Sequence, residues 1–181
     1  NCNLFYNYIL YIFNILGGLI MNKVIDWQNY IIGIAQLSAL RSKDPRTQVG
    51  CCIVDPDKKI ILSIGYNGFP RTKMKSKKNN DSLFPWASDA LNILNKKDMY
   101  VVHAEMNAIL NSRDRDLEGS VLYTTLFPCN ECAKAIIQAG IKEVFYLNRK
   151  NNISEEASIK MFDAAGVKYK KIVSTIGIEV Y

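Results

Sequence analysis

Residues 126–144 read LFPCNECAKAIIQAGIKEV, and the reading of this stretch decides the fold. The apolar, β-branched run at 120–125 before it has strand composition, and Pro128 restricts the backbone where strand gives way to helix. Spacing then predicts a helix over 129–139, stopped by Gly140, and a second strand over 143–147. Two strands joined by one short helix form a parallel pair with the helix crossing one face. Working outward, a helix over 154–165, stopped by Gly166, and a strand over 167–173 repeat the unit. Upstream, Asp26 caps a helix reaching about Arg41, with Trp27, Tyr30, Ile31, Ile34, Leu37 and Leu40 at helical spacing. Residues 48–54 and 59–65 read as strands joined by a turn at Asp55, Pro56 and Asp57, and residues 103–111 as a helix. The expected fold is α/β, a three-layer α/β/α sandwich around a mixed sheet of about five strands. An insertion at about 71–99 is lysine-rich at first, then helical around 86–95.

Composition bounds the function. The 181 residues are 49% apolar and 22% charged, the balance of a single globular domain. Residues 1–20 form a hydrophobic N-terminal extension expected to stand outside the fold, with the domain occupying 21–181. Three readings are open for it: upstream sequence foreign to the native protein, a disordered extension, or an anchor or targeting segment. Its length is near the ~20 residues a bilayer requires, but Asn7, Asn14, Gly17 and Gly18 interrupt it. Nothing after Met21 is apolar for long enough to span a membrane. The net charge is +6, and Arg71, Lys73, Lys75, Lys77 and Lys78 place much of it in one loop. That loop is either solvated or in contact with phosphate or nucleic acid. Five cysteines, two adjacent and two in a C-x-x-C pair, make a poor disulfide framework. They point to metal chemistry in a reducing compartment, the cytoplasm.

Two pieces carry that chemistry: His103-Ala104-Glu105 and Pro128-Cys129-Asn130-Glu131-Cys132. A C-x-x-C at a helix start aims both sulfurs at one point, where free N–H groups and the helix dipole favour thiolates. By itself the pair also suits a structural zinc half-site or a redox couple. A closed structural site needs a fourth ligand, yet His103 is the single histidine and no other cysteine has ligand spacing. Cys51 and Cys52 are consecutive on a strand and face opposite sides. Three ligands with an open fourth position are the pattern of a catalytic zinc, and Glu105 lies close enough to work beside it without binding it.

The order His-x-Glu then Pro-Cys-x-x-Cys resembles the zinc-dependent nucleobase deaminases. Residues 42–50 (SKDPRTQVG), 65–70 (GYNGFP) and 103–109 (HAEMNAI), together with 126–144, resemble the deoxycytidylate deaminases over most of the chain from Trp27 to Val173. The resemblance implies hydrolysis of dCMP to dUMP and ammonia, with His103, Cys129 and Cys132 on one Zn2+ per subunit and Glu105 moving protons. It places substrate contacts at Asn67, Ala104, Thr125, Leu126, Phe127 and Pro128. A turn role competes at Asn67, and core packing at Leu126 and Phe127. It places effector contacts at Ser42, Lys43, Asp44, Tyr66 and Gly68. It further implies a homo-oligomer, typically a hexamer, activated by dCTP with Mg2+ and inhibited by dTTP, with neither nucleic acid nor membrane as partner. The rivals are a superfamily member acting on another nucleoside or on tRNA, and a catalytically silent zinc module with a regulatory role.

Overall fold

A computed structural model of the chain describes residues 24–72, 83–88 and 91–178. The N-terminal extension and the lysine-rich part of the insertion lie outside the described residues. Helix α1 (Trp27–Ala39) is followed by strands β1 (Gly50–Asp55) and β2 (Ile60–Tyr66), helix α2 (Ala104–Asn111) and strand β3 (Val121–Leu126). Helix α3 (Asn130–Gln138), strand β4 (Glu143–Asn148), helix α4 (Ile153–Ala165) and strand β5 (Lys168–Lys171) complete the order. The five strands form one sheet in the order β2-β1-β3-β4-β5. Strand β1 runs antiparallel to β2 and β3, whereas β3, β4 and β5 are mutually parallel. The expected mixed sheet and helix–strand alternation are present, with element ends within about two residues of expectation.

Alternation along the strands divides the core. Cys51, Ile53, Leu122 and Val144 face α2, α3 and α4, together with Ala104, Ala133, Ile136 and Phe162. Cys52, Val54 and Val121 face α1 through Ile31, Ile32 and Ala35. The face α1 presents differs from the one its large residues suggest. Trp27, Tyr30, Leu37 and Leu40 are exposed, while Ile31, Ile32, Ala35 and Ala39 are buried. The reason is proximity: a Cβ added to Gly50 would collide with the backbone of Ala35 and Ala39, so only small residues fit between helix and strand. On the opposite face, a Cβ on Gly65 would collide with the Ala104 carbonyl and the Ala108 nitrogen. Helix α2 therefore rests on the bare backbone of β2.

The helix expected at 86–95 does not form in the described part of that segment. Two 3-10 turns, Ile93–Asn95 and Lys97–Met99, stand there instead. Leu91, Ile93 and Leu94 are exposed, so no apolar stripe is buried to support a longer helix. Aromatic contacts hold the segment: Trp86 lies 4.0 Å from Phe69 between ring centroids, and Phe84 stacks on Tyr100 at 4.9 Å. Among the described residues, no helix is long and apolar enough to cross a membrane.

Candidate active site

The site is built from two helix starts beside the end of β3. His103 and Cys129 are the N-cap residues of α2 and α3, both with extended backbone. Cys132 follows one turn into α3 and is buried. His103 Nδ1 lies 3.2 Å from Cys129 Sγ and 3.5 Å from Cys132 Sγ. The three ligand atoms all fall within 4.8 Å of one another. A tetrahedral zinc with ordinary Zn–S and Zn–N lengths sets its ligands about 3.3–3.8 Å apart, so these three donors fit one zinc. Among the described residues no other cluster of this kind occurs.

The charge state of the donors makes the same point. The thiol of Cys132 donates to Cys129 and, with help from His103 and against burial, brings Cys129 down to about 3. Donating that bond, together with burial, pushes Cys132 far up. His103 is raised chiefly by its bond to Cys129. A dication between the two sulfurs favours ionisation of both.

Glu105, in the first turn of α2, is buried, with Oε2 3.4 Å from Cys132 Sγ. Thr124 Oγ1 lies 3.3 Å from Glu105 Oε1 and 3.0 Å from the Leu126 carbonyl oxygen, either of which can accept its proton. Burial raises the Glu105 carboxyl above the ordinary range, and the neighbouring His103 is the main counterweight. A carboxylate so tuned, held beside a metal site without belonging to it, is suited to taking up and returning a proton.

Above these groups opens a cavity of about 120 Å³. Its lining includes His103, Glu105 and Cys129, and also Ala104, Leu126, Phe127, Asn67 and Asp44 from the expected contacts. Asn67 is buried and its amide is already engaged. Its Oδ1 accepts from the Val49 N–H at 2.8 Å, and Nδ2 donates to the Thr47 carbonyl at 2.9 Å and to Asp44 at 3.3 Å. Asp44 in turn accepts from the N–H groups of Arg46 and Thr47 and from Lys97 Nζ, the last at 2.8 Å and 2.5 Å to its two oxygens. Burial pushes the Asp44 carboxyl up, but these bonds outweigh it and hold the group below its ordinary value.

Two expected substrate contacts lie elsewhere. Thr125 is outside the lining because its hydroxyl accepts from the Gly50 N–H at 3.1 Å, across the sheet. Strand alternation gives the position facing Glu105 to Thr124 instead. Pro128 is fully buried, its carbonyl accepting from Ser158 Oγ at 2.9 Å. The expected effector set divides. Asp44 lines the main cavity, and Ser42 ties Asn67 down through a 2.8 Å bond from Oγ to its carbonyl. Lys43 lines neither cavity, while Tyr66 and Gly68 line a separate one of about 420 Å³ with Phe69, Arg71 and Asn107. Thr124, Lys97, Lys150 and Glu155 contribute to the site or its rim without a motif that singles them out.

Comparison with known proteins agrees with this geometry. Residues 25–148 match the family model described as the cytidine and deoxycytidylate deaminase zinc-binding region. The chain is 47% identical over 151 residues to the deoxycytidylate deaminase of Homo sapiens, covering 82% of this chain and 81% of that protein. It is 49% identical over 149 residues to the deoxycytidylate deaminase of Mus musculus, covering 81% and 80%. The dCMP deaminase from cyanophage S-TIM5, solved in complex with dCMP and dUMP, superposes with a TM-score of 0.60 at 28% identity, covering 80% of this chain and 96% of that one. With a zinc-binding ligand set at two helix starts, a buried glutamate beside it and these relatives, the chain belongs to the cytidine and deoxycytidylate deaminase family.

Proposed function

We propose that this chain hydrolyses dCMP to dUMP and ammonia. The observation that carries the reading is the buried Glu105 carboxylate set against a three-ligand zinc site at the base of a cavity. His103, Cys129 and Cys132 hold the metal. A bound zinc supplies Lewis acidity at its open position, bringing water toward ionisation near neutral pH. Glu105 accepts a proton as the water oxygen bonds to C4, and delivers one to N3 of the ring. It then passes the second proton to the departing amine as the C4–N4 bond breaks, leaving a carbonyl at C4. Thr124 steadies the Glu105 carboxylate, and the Ala104 backbone, Leu126 and Phe127 confine the base. Asn67 gives its amide protons to Asp44 and Thr47, and its Oδ1, which already accepts from the Val49 N–H, has a second lone pair to offer a sugar hydroxyl.

The same reading includes a homo-oligomer, a hexamer by family resemblance, activated by dCTP with Mg2+, inhibited by dTTP and located in the cytoplasm. The exposed apolar row Trp27, Tyr30, Leu37 and Leu40 on α1 supports association between copies. A substrate panel of cytidine, dCMP, CMP and dCTP, followed by the ultraviolet change on deamination, tests the assignment. Turnover of dCMP and not of cytidine is expected, and its rate should rise with dCTP and fall with dTTP. Preference for cytidine would overturn the substrate assignment.

A further inference from the structure

Cys129 caps α3 with its backbone but not with its side chain. Its φ of −74° and ψ of 170° are those of an N-cap, yet its sulfur makes no capping bond. A helix start leaves its first N–H groups without partners inside the helix, and a serine, threonine, aspartate or asparagine at the N-cap usually accepts from one of them. The Cys129 sulfur is turned to His103 and Cys132 and leaves that role unfilled. Helix α4 supplies an acceptor instead. Ser154 Oγ accepts from the Asn130 N–H, the first of α3, at 3.1 Å, and donates its own proton to Asn130 Oδ1 at 2.7 Å.

One turn along α4, Ser158 reaches the other side of the cysteine. It is fully buried, and its Oγ lies 2.9 Å from the Pro128 carbonyl oxygen and 3.0 Å from that of Ser154. A bond to the carbonyl four residues back is ordinary for a serine within a helix; an acceptor from another element is the added feature. Pro128 itself has no N–H to give. Ahead of it, the Phe127 N–H reaches the Asn148 carbonyl at 2.8 Å, and behind it the Ala133 N–H reaches the Cys129 carbonyl at 2.8 Å. Between those two bonds, each of the peptide groups flanking Cys129 carries one bond from α4: the Pro128 carbonyl from Ser158, the Asn130 N–H from Ser154. The sulfur between them is aimed from a main chain held on both sides.

We propose that Ser154 and Ser158 are positioning residues for the metal: by clasping both peptide groups of Cys129 they fix its sulfur before the ion arrives and slow the ion's loss afterwards. This rests on the reading that His103, Cys129 and Cys132 hold zinc. The test measures zinc affinity by competition with a chelator of known strength, for wild type, Ser154→Ala, Ser154→Thr, Ser158→Ala and Ser112→Ala. Ser112 is the control, a buried serine that donates to the Ile109 carbonyl at 2.7 Å at the far end of α2. Ser154→Ala and Ser158→Ala should each raise the zinc Kd about 10- to 100-fold, as losses of outer contacts to metal ligands do. Ser154→Thr keeps the hydroxyl and should stay near wild type, as should Ser112→Ala. With cobalt(II) in place of zinc, the visible spectrum of Ser158→Ala should shift and that of Ser112→Ala should not. Ser154, only half-buried, gives the same reading where Ser158→Ala does not fold. An unchanged zinc Kd in the two alanine variants, or an equal rise in Ser112→Ala, would overturn the proposal. Failure of the ligand reading would show separately, as wild-type protein that binds no zinc or as Cys132→Ser that binds it undiminished.

Discussion

His103, Glu105, Cys129 and Cys132, which form the floor of the cavity, come from two helix starts and two short motifs. Asp44, Asn67, Lys97 and Lys150 on its walls and mouth come from four separate loops or turns. On the floor each group depends on its neighbours: the Cys132 thiol and His103 draw Cys129 down, the imidazole leans on a sulfur, and the carboxylate contacts Cys132. On the walls the groups are matched in closed pairs, Asp44 with Lys97 and Arg149 with Glu155. The floor is therefore a reactive unit in which partial loss is close to total loss. The walls are a frame whose parts fail one at a time.

The sharpest way to break this contrast is Glu105→Gln. The substitution preserves shape and removes the proton carrier, so kcat should fall by about 100- to 10,000-fold, the range of general acid–base catalysis. Zinc content and dUMP binding should be retained, and near-normal turnover would remove Glu105 from the chemistry. Next is Cys132→Ser, which replaces a thiolate ligand with a poorly ionised hydroxyl. Zinc measured on purified protein should drop well below one per chain, and full occupancy would dissolve the idea of an interdependent floor. Lys97→Met acts on the frame. It leaves Asp44 buried without its partner and should cost about 3–5 kcal/mol in urea unfolding, as broken buried pairs do. Zinc binding should survive in the folded fraction; its loss would show that wall and floor are one unit.

The smallest effect is on pH dependence. The folded-state pKa of Asp44 lies below its ordinary 3.8, so its contribution to stability is complete above about pH 4 and is lost as the pH falls through the folded value. The urea midpoint should decline from about pH 4 downward, and Asp44→Asn should flatten that decline at the expense of stability at neutral pH. An identical acid limb in both proteins would assign the decline to other carboxylates.

The same division governs what could be read from the chain alone. The floor was legible because each motif is local: a cysteine pair one helical turn apart and a histidine two residues before a glutamate have few ways to be arranged. The strands and helices were legible from periodicity, with the exception of residues 86–95, where scattered apolar residues turned out to be exposed. The walls were less accessible. Lys97 and Asp44 are 53 positions apart, and nothing in either neighbourhood announces the other. Thr125 and Thr124 show a subtler difficulty, because two adjacent threonines on a strand face opposite sides and a one-residue shift exchanges their roles. The buried side of α1 was hidden for a different reason: the contact is made by Gly50, Ala35 and Ala39, whose small size is itself the signal.

The seat of α2 on Gly65 has one more consequence. With no side chain at Gly65 between strand and helix, the start of α2 is measured there from the main chain of the sheet, a fixed datum rather than an average over packed rotamers. His103 and Glu105 inherit that datum, and drift in the surrounding core over many generations of substitution need not be passed on to them. The position of the catalytic helix start is, in this sense, set by the absence of a single methyl group.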